Sequence, residues 1–185
     1  HPHFLFNTLN AVTVLAKDGD AAAVARMLTL LSGLLRDVLR TDDVQLIPLS
    51  SELAFSRQYL EIELVRFADR LRISESIDQE TEQALVPVFI LQPLIENALR
   101  HGLAPRASGG TITLHARKAD AMLELAVRDD GVGLPATWGN DDDCYGIGLT
   151  NVSARLRELY AGRATMTVVR ESAGGTCASI RLPLS

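Results

Sequence analysis

The chain has 185 residues, 47% of them hydrophobic and 22% charged, with a formal net charge of -5 at pH 7 and a pI near 5.3. This is a globular composition on a length that suits one ordinary domain, or a small domain with a helical appendage. The acidic balance argues against a broad nucleic-acid surface, so no direct DNA or RNA binding is expected. Cys144 and Cys177 lack CxxC or zinc-ligand spacing and read as free thiols of a reducing compartment. No apolar run approaches the roughly 18 residues of a membrane span, so no membrane contact is expected within these residues. The sequence opens without Met on a motif already under way, which suggests a cytoplasmic fragment of a longer protein whose upstream part carries sensing or membrane segments.

In chain order, a first helix is expected from Phe4 to about Lys17, with Leu5, Leu9, Val12 and Ala16 on one face. Asp18-Gly19-Asp20 is a turn, and Asp20 is a natural cap for a second helix. There Val24, Leu28, Leu31, Leu35 and Val38 alternate in steps of four and three, a bundle seam that Leu30 and Leu34 widen. Two helices cannot hide so wide a stripe alone. The expected solution is a homodimer in which two hairpins make a four-helix bundle, the alternative being a hairpin packed back on its own second domain.

After a boundary near 43, the pattern alternates. Ser50 is expected to cap a helix to about Phe67 with Leu53, Leu60, Leu64 and Phe67 inward, followed by a strand from Leu71 to Ile77 and a helix from Val88 to His101. Strands are expected at Thr111–Arg117 and Met122–Arg128 around a Lys118-Ala119-Asp120 turn. A helix over Leu149–Tyr160 and strands at Ala164–Val169 and Thr176–Leu182 complete a sheet with helices over one face. The fold class is thus α+β, with a hairpin over residues 1–43 and a two-layer α/β sandwich over 44–185.

Three strings carry chemistry: Glu96-Asn97-Ala98 with Arg100-His101-Gly102, Asp129-Asp130-Gly131-Val132-Gly133, and Gly146-Ile147-Gly148-Leu149. The first offers a carboxylate and a side-chain amide on an apolar helix, and hard cations such as magnesium take oxygen ligands. A Glu-Asn pair directly after Leu94-Ile95 needs partners if it is buried. The glycines let the backbone approach a ligand without a Cβ in the way, and a helix opening at Leu149 presents free N–H groups to phosphate. Together the strings indicate an ATP site.

The chain resembles the cytoplasmic part of LytS-like sensor histidine kinases, whose ATP-binding domain is of the GHKL type shared with gyrase and chaperone ATPases. The landmarks are Pro2-His3-Phe4-Leu5-Phe6-Asn7, Tyr59-Leu60-Glu61-Ile62-Glu63 with Arg66-Phe67, the three strings above, and Asn151-Val152 with Arg155-Leu156. Their order and joint presence make coincidence improbable. The resemblance implies ATP and Mg2+ as ligands, with Asn97 as the metal ligand and Arg100 and His101 on the phosphate side. Asp129 would read adenine, and Asp130 stands where Asn is frequent. Gly131 and Gly133 would turn the chain under the base. Gly146, Gly148, Leu149 and Asn151 would contact phosphate, and Thr176 would place a hydroxyl near the base. Residues 135–145, with Trp138 and Asp141-Asp142-Asp143, are expected to be a lid, since the acidic run lacks EF-hand spacing.

His3 is the implied nucleophile, preferred over His1 because it alone aligns with the family box. A neutral imidazole is well populated near pH 7 and can attack a γ-phosphorus in line. Phe4 follows it where many histidine kinases carry an acid, so Glu96 either accepts the proton or positions the metal. The implied function is autophosphorylation of His3 followed by transfer to an aspartate on the receiver domain of a response regulator, in a homodimer whose parent is anchored in the bacterial inner membrane. A nucleotide-gated interaction module without phosphohistidine is the second class. A gyrase-type ATPase is disfavoured, because those enzymes use a differently spaced glutamate.

Overall fold

A computed structural model describes residues 2–40, 44–134 and 146–184; side chains are described for residues 6, 8–36, 44–134 and 146–184. Two helices, α1 (Pro2–Lys17) and α2 (Ala21–Arg40), form the hairpin. Its turn follows the expected chemistry: Asp20 Oδ1 accepts the Ala23 N–H at 2.9 Å, and Gly19 takes a φ of 77°.

The faces of the hairpin differ from the expected seam. On α2 the buried residues are Met27, Leu31 and Leu34, while Leu28 and Leu35 stay 43% and 38% exposed. On α1 the packed set is Thr8, Ala11, Val12 and Leu15, and Leu9 and Ala16 are exposed. Leu5 and Val38 lie outside the described side chains. The reason is geometric. A stripe as wide as that of α2 has two edges, and the Met27 edge meets the following helix of the same chain, α3 (Leu49–Phe67), while the Leu28 edge does not. Part of the hairpin does pack back on its own second domain.

That domain begins with β1 (Leu46–Pro48), which pairs antiparallel with β3 (Leu85–Pro87) in a small sheet the sequence did not announce. Between them run α3 and β2 (Leu71–Ile77). Ser50 is not the cap of α3. The helix opens at Leu49, and its first donors are met by main chain, Leu49 N–H to Ala84 O at 2.8 Å and Ser50 N–H to Glu82 O at 2.9 Å.

Helix α4 (Gln92–Asn97) starts four residues later than expected, then widens into a π-helical turn over Ala98–Leu103. Phe89, at a φ of 57°, breaks any helix through 88–91. Strands β4 (Gly110–Ala119) and β5 (Met122–Asp129) follow, joined by Asp120-Ala121 with Asp120 at a φ of 56°; Ala119 pairs with Met122, so the turn is tighter than expected. The chain closes with α5 (Ile147–Tyr160), β6 (Thr165–Arg170) and β7 (Thr176–Pro183).

The main sheet has the order β2-β4-β5-β7-β6, parallel only between β2 and β4. Period-two alternation sorts its faces. Ile112, Leu114, Leu123, Leu125, Val127, Ile180 and Leu182 are at most 1% exposed and join one core with Leu53 and Leu60 of α3, Leu94 and Ile95 of α4, and Val152 and Leu156 of α5. Each such burial contributes roughly 1.5–3 kcal/mol. The opposite face carries His115, Arg117, Glu124, Arg128 and Arg181 in half-exposed or exposed positions. Helices therefore cover one face only, as expected, and β5 delivers Asp129 to the edge of the covered layer.

Candidate nucleotide site

Helix α4 and the start of α5 form two walls of a cleft of about 220 Å³, lined by Pro93, Glu96, Asn97, Arg100, His101 and Gly146 through Leu149. Seven of the expected site residues meet there, although the two strings lie far apart in sequence. Leu94, Ile95, Ala98 and Leu99 anchor α4 in the core, so Glu96 and Asn97 are half-buried and Arg100 and His101 reach solvent. Gln92 Nε2 donates to Glu96 Oε1 at 3.1 Å, one turn along the same helix.

Behind Glu96, α3 presents Tyr59, Glu63 and Arg66. Glu63 is 1% exposed, and Arg66 Nη1 donates to its two oxygens at 2.6 and 2.8 Å. Burial raises the Glu63 carboxyl, with Arg66 pulling it back down and Glu96 adding to the rise. The Tyr59 phenol is raised too, by burial first and then by Glu63 and Glu96.

Outside the lining of this cleft lies Asp129, which is 5% exposed and accepts the Gly131 N–H on Oδ1 at 2.9 Å. Burial raises its carboxyl above the usual range, and the N–H groups of Gly131 and Thr176 work against that rise. Gly102 lies against it so closely that a Cβ there would stand 2.4 Å from Asp129 Oδ1. A Cβ on Gly131 would come 2.2 Å from Gly102 O, and Val132 N–H donates to that same carbonyl at 3.0 Å. Gly102 thus brings the helical turn that follows Asn97 into contact with the carboxylate of Asp129. Thr176 is buried opposite Asp129 in the β5–β7 register, and Gly133 takes a φ of 74° beside Gly175.

Asp130 serves the framework: its Oδ1 accepts the Thr111 N–H at 2.7 Å, and Arg106 donates to its carbonyl. Asn151 is exposed on α5 and does not line the cleft. His3 stands in the first turn of α1, but its side chain and that of Asn7 lie outside the described residues, as do residues 135–145 with Trp138. A larger concavity of about 650 Å³ lies on the open face of the sheet, among His115, Arg128, Cys177 and Ser179. It contains none of the glycine turns, so size alone does not mark the site.

The donors fit a nucleotide. A buried carboxylate at Asp129 stands near a cleft that carries the Arg100 guanidinium, and glycines stand around Asp129 where Cβ atoms would collide. Asn97 and Glu96 also offer oxygens of the kind a hard cation takes.

Sequence reasoning missed Glu52 and gave Arg155 no role. Glu52 is 1% exposed and its two oxygens accept the N–H groups of Phe89 and Leu91 at 2.8 and 2.9 Å. Burial pushes its carboxyl up to about 7. An acid in a first helical turn is ordinarily taken as a dipole partner, and nothing local marks it as buried.

Comparison with known proteins agrees with this geometry. Residues 1–71 match the histidine kinase family model, and residues 83–185 match the model described as histidine kinase-, DNA gyrase B-, and HSP90-like ATPase. The chain is 33% identical to sensor histidine kinase BtsS of Escherichia coli K12, covering 99% of this chain and 32% of that protein. It is 32% identical to sensor protein LytS of Bacillus subtilis, covering 100% and 32%. It therefore spans about a third of the length of these relatives. Among solved structures, the histidine kinase domain of the Erythrobacter litoralis EL346 blue-light activated kinase superposes with a TM-score of 0.58 at 22% identity, over 93% of this chain and 84% of that one. The ATP binding domain of PrrB from Mycobacterium tuberculosis gives 0.56 at 20% identity, over 78% and 99%. These two likenesses concern the fold.

Proposed function

Because the chain belongs to the histidine kinase-, DNA gyrase B- and HSP90-like ATPase family, and within it to the LytS-like sensor histidine kinases, we propose that it is the catalytic part of a two-component sensor kinase. Residues 44–185 bind ATP, and residues 1–43 carry the phosphoacceptor and the dimer contact. The observation that carries this reading is the shared cleft of Glu96, Asn97, Arg100 and His101 with Gly146–Leu149, continuous through Gly102 with buried Asp129.

In this scheme Asp129 accepts a hydrogen bond from the exocyclic amine of adenine, with Thr176 beside it, while Gly131 and Gly133 leave room for the base. Arg100, His101 and the first N–H groups of α5 after Gly146 meet the phosphates. Asn97 and Glu96 would hold Mg2+ against the phosphate oxygens, where the ion offsets charge on the transferring group. A ring nitrogen of His3 attacks the γ-phosphorus, the bond to the β-phosphate oxygen breaks, ADP leaves, and the imidazole loses its other N–H proton. Glu96 is the candidate acceptor of that proton. The phosphoryl group then passes to an aspartate of a response regulator's receiver domain.

The exposed Phe6, Leu9, Leu28 and Leu35 support a homodimer through the hairpins. No helix among the described residues is long and apolar enough to cross a membrane, and anchoring of the parent protein in the bacterial inner membrane remains part of the proposal. The test is incubation with γ-labelled ATP and magnesium. Acid-labile, base-stable label on the wild type, absent from His3→Gln, is expected. Nucleotide binding without label would instead support the nucleotide-gated interaction module.

A further inference from the structure

We infer that Glu52 and Arg155 are positioning residues, which latch the turn over 88–91 and so hold the α4 and α5 walls of the nucleotide cleft in register. The inference rests on the nucleotide reading above.

The turn cannot hold itself. Phe89 adopts a left-handed φ of 57°, and a bulky residue there costs on the order of 1–2 kcal/mol. Helix α4, which starts directly after this turn, has no cap of its own: its N-cap position is Leu91, with no side-chain hydrogen bond to its first turn. The two oxygens of Glu52 take up this slack from α3 by accepting the Phe89 and Leu91 N–H groups, and the Phe89 ring lies 5.3 Å from that of Phe55 on the same helix.

From the opposite side comes Arg155. Its Nη1 donates to Val88 O at 2.5 Å and its Nη2 to Gln45 O at 3.3 Å, which joins α5 to the entry of the turn and to the segment before β1. One four-residue stretch, 88–91, is thus gripped by an acid from α3 through its N–H groups and by a base from α5 through a carbonyl. Asn97 lies just beyond the turn on α4, and Gly146–Leu149 opens the helix that carries Arg155. Loss of either grip frees one cleft wall relative to the other without touching any group that lines the cleft.

The hairpin reaches the latch as well. Leu34 of α2 shares a small cavity with Glu52, Phe55 and Phe89. The phosphoacceptor helices therefore bear on the residues that set the shape of the cleft.

Glu52→Gln is the discriminating variant, because it keeps the size but offers one acceptor and one donor where two N–H groups converge. The experiment measures affinity for a fluorescent ATP analogue on the 185-residue chain, together with melting temperature and hydrogen exchange at the Phe89 and Leu91 amides. Glu52→Gln should weaken binding roughly tenfold, since one of the two converging N–H groups loses its acceptor, and should speed exchange at both amides. Arg155→Lys, which replaces the two separate nitrogens of the fork with a single one on a shorter side chain, should weaken binding severalfold and carries the test if the first variant does not fold. Ile180→Val, a core change away from the cleft, is the control for stability and should leave affinity unchanged. Equal affinity in wild type, Glu52→Gln and Arg155→Lys overturns the latch, and so does an equal loss in Ile180→Val. A wild type that binds no analogue overturns the nucleotide reading itself, and the latch with it.

Discussion

The region around Asp129 and the cleft between α4 and α5 use the same residue type for opposite purposes. Around Asp129 the glycines are there because nothing else fits: a Cβ would stand 2.4 Å from the Asp129 carboxylate at Gly102, 2.2 Å from Gly102 O at Gly131 and 1.9 Å from Asp129 O at Gly175. Between α4 and α5 the glycines face open space. A Cβ at Gly146 would meet nothing within 4 Å, and one at Gly148 only Pro93 at 3.7 Å. The surroundings of Asp129 are thus part of the packed interior, and the cleft between α4 and α5 is a surface. A glycine motif alone does not say which kind it is.

This contrast can be broken most directly at Gly175. It takes a φ of 87° in addition to the close contact, so Gly175→Ala should destabilise the fold by about 3 kcal/mol or more, and thermal or urea unfolding should show it. A variant that melts like the wild type would mean the base end is not rigid.

Next in size is a pH dependence from Glu52, the residue that shapes the open end. Its carboxyl is raised from 4.5 to about 7 in the folded chain, so the folded state binds this proton more tightly than the unfolded one. The stability it contributes is fully present below pH 4.5 and is lost as pH rises through about 7, a change of up to about 3 kcal/mol. Urea titrations between pH 4.5 and 8 should show this slope in the wild type and a flatter profile in Glu52→Gln. Stability and positioning then pull against each other, because the charged carboxylate that best holds two N–H groups is also the costly one to bury.

Asp129→Asn replaces an acceptor-only group that faces N–H groups of Gly131 and Thr176 with one that must also donate. A stability loss of about 1–2 kcal/mol is expected, with a larger proportional loss in affinity for adenine nucleotides than for inorganic triphosphate. Equal losses for both ligands would remove Asp129 from the base end. Gly148→Ala should have the smallest structural effect, within about 0.5 kcal/mol of wild-type stability, while still weakening nucleotide binding. Should it unfold the chain instead, the distinction between packed and open glycines fails.

Much of the architecture was legible locally. Strands β4 and β5 alternate over most of their length, Asp20 caps α2 as a short acid should, and the motifs named the residues that meet in the cleft. Errors came where a distant partner supplied what a local rule expected nearby. Ser50 is no cap because the carbonyls of Glu82 and Ala84 reach the start of α3, and α4 starts late because Glu52 holds 88–91 in a non-helical turn. The α2 stripe was recognised, but which of its edges the same chain covers was not: Met27 is fully buried while Leu28 is left exposed, and periodicity cannot tell which edge an intrachain neighbour will cover.

By itself, then, the sequence determined the order of the long helices and of the main-sheet strands, the α+β class and the identity of the polar and glycine-bearing strings, because those follow from side-chain period and backbone preference within a few residues. Only the tertiary structure decided that Gly102 lies on Asp129, that α4 faces Gly146–Leu149, and that Glu52 and Arg155 close on one turn from opposite helices. Those are contacts between residues tens of positions apart, and they exist because a buried N–H, carbonyl or carboxylate must find a partner wherever the fold brings one within reach.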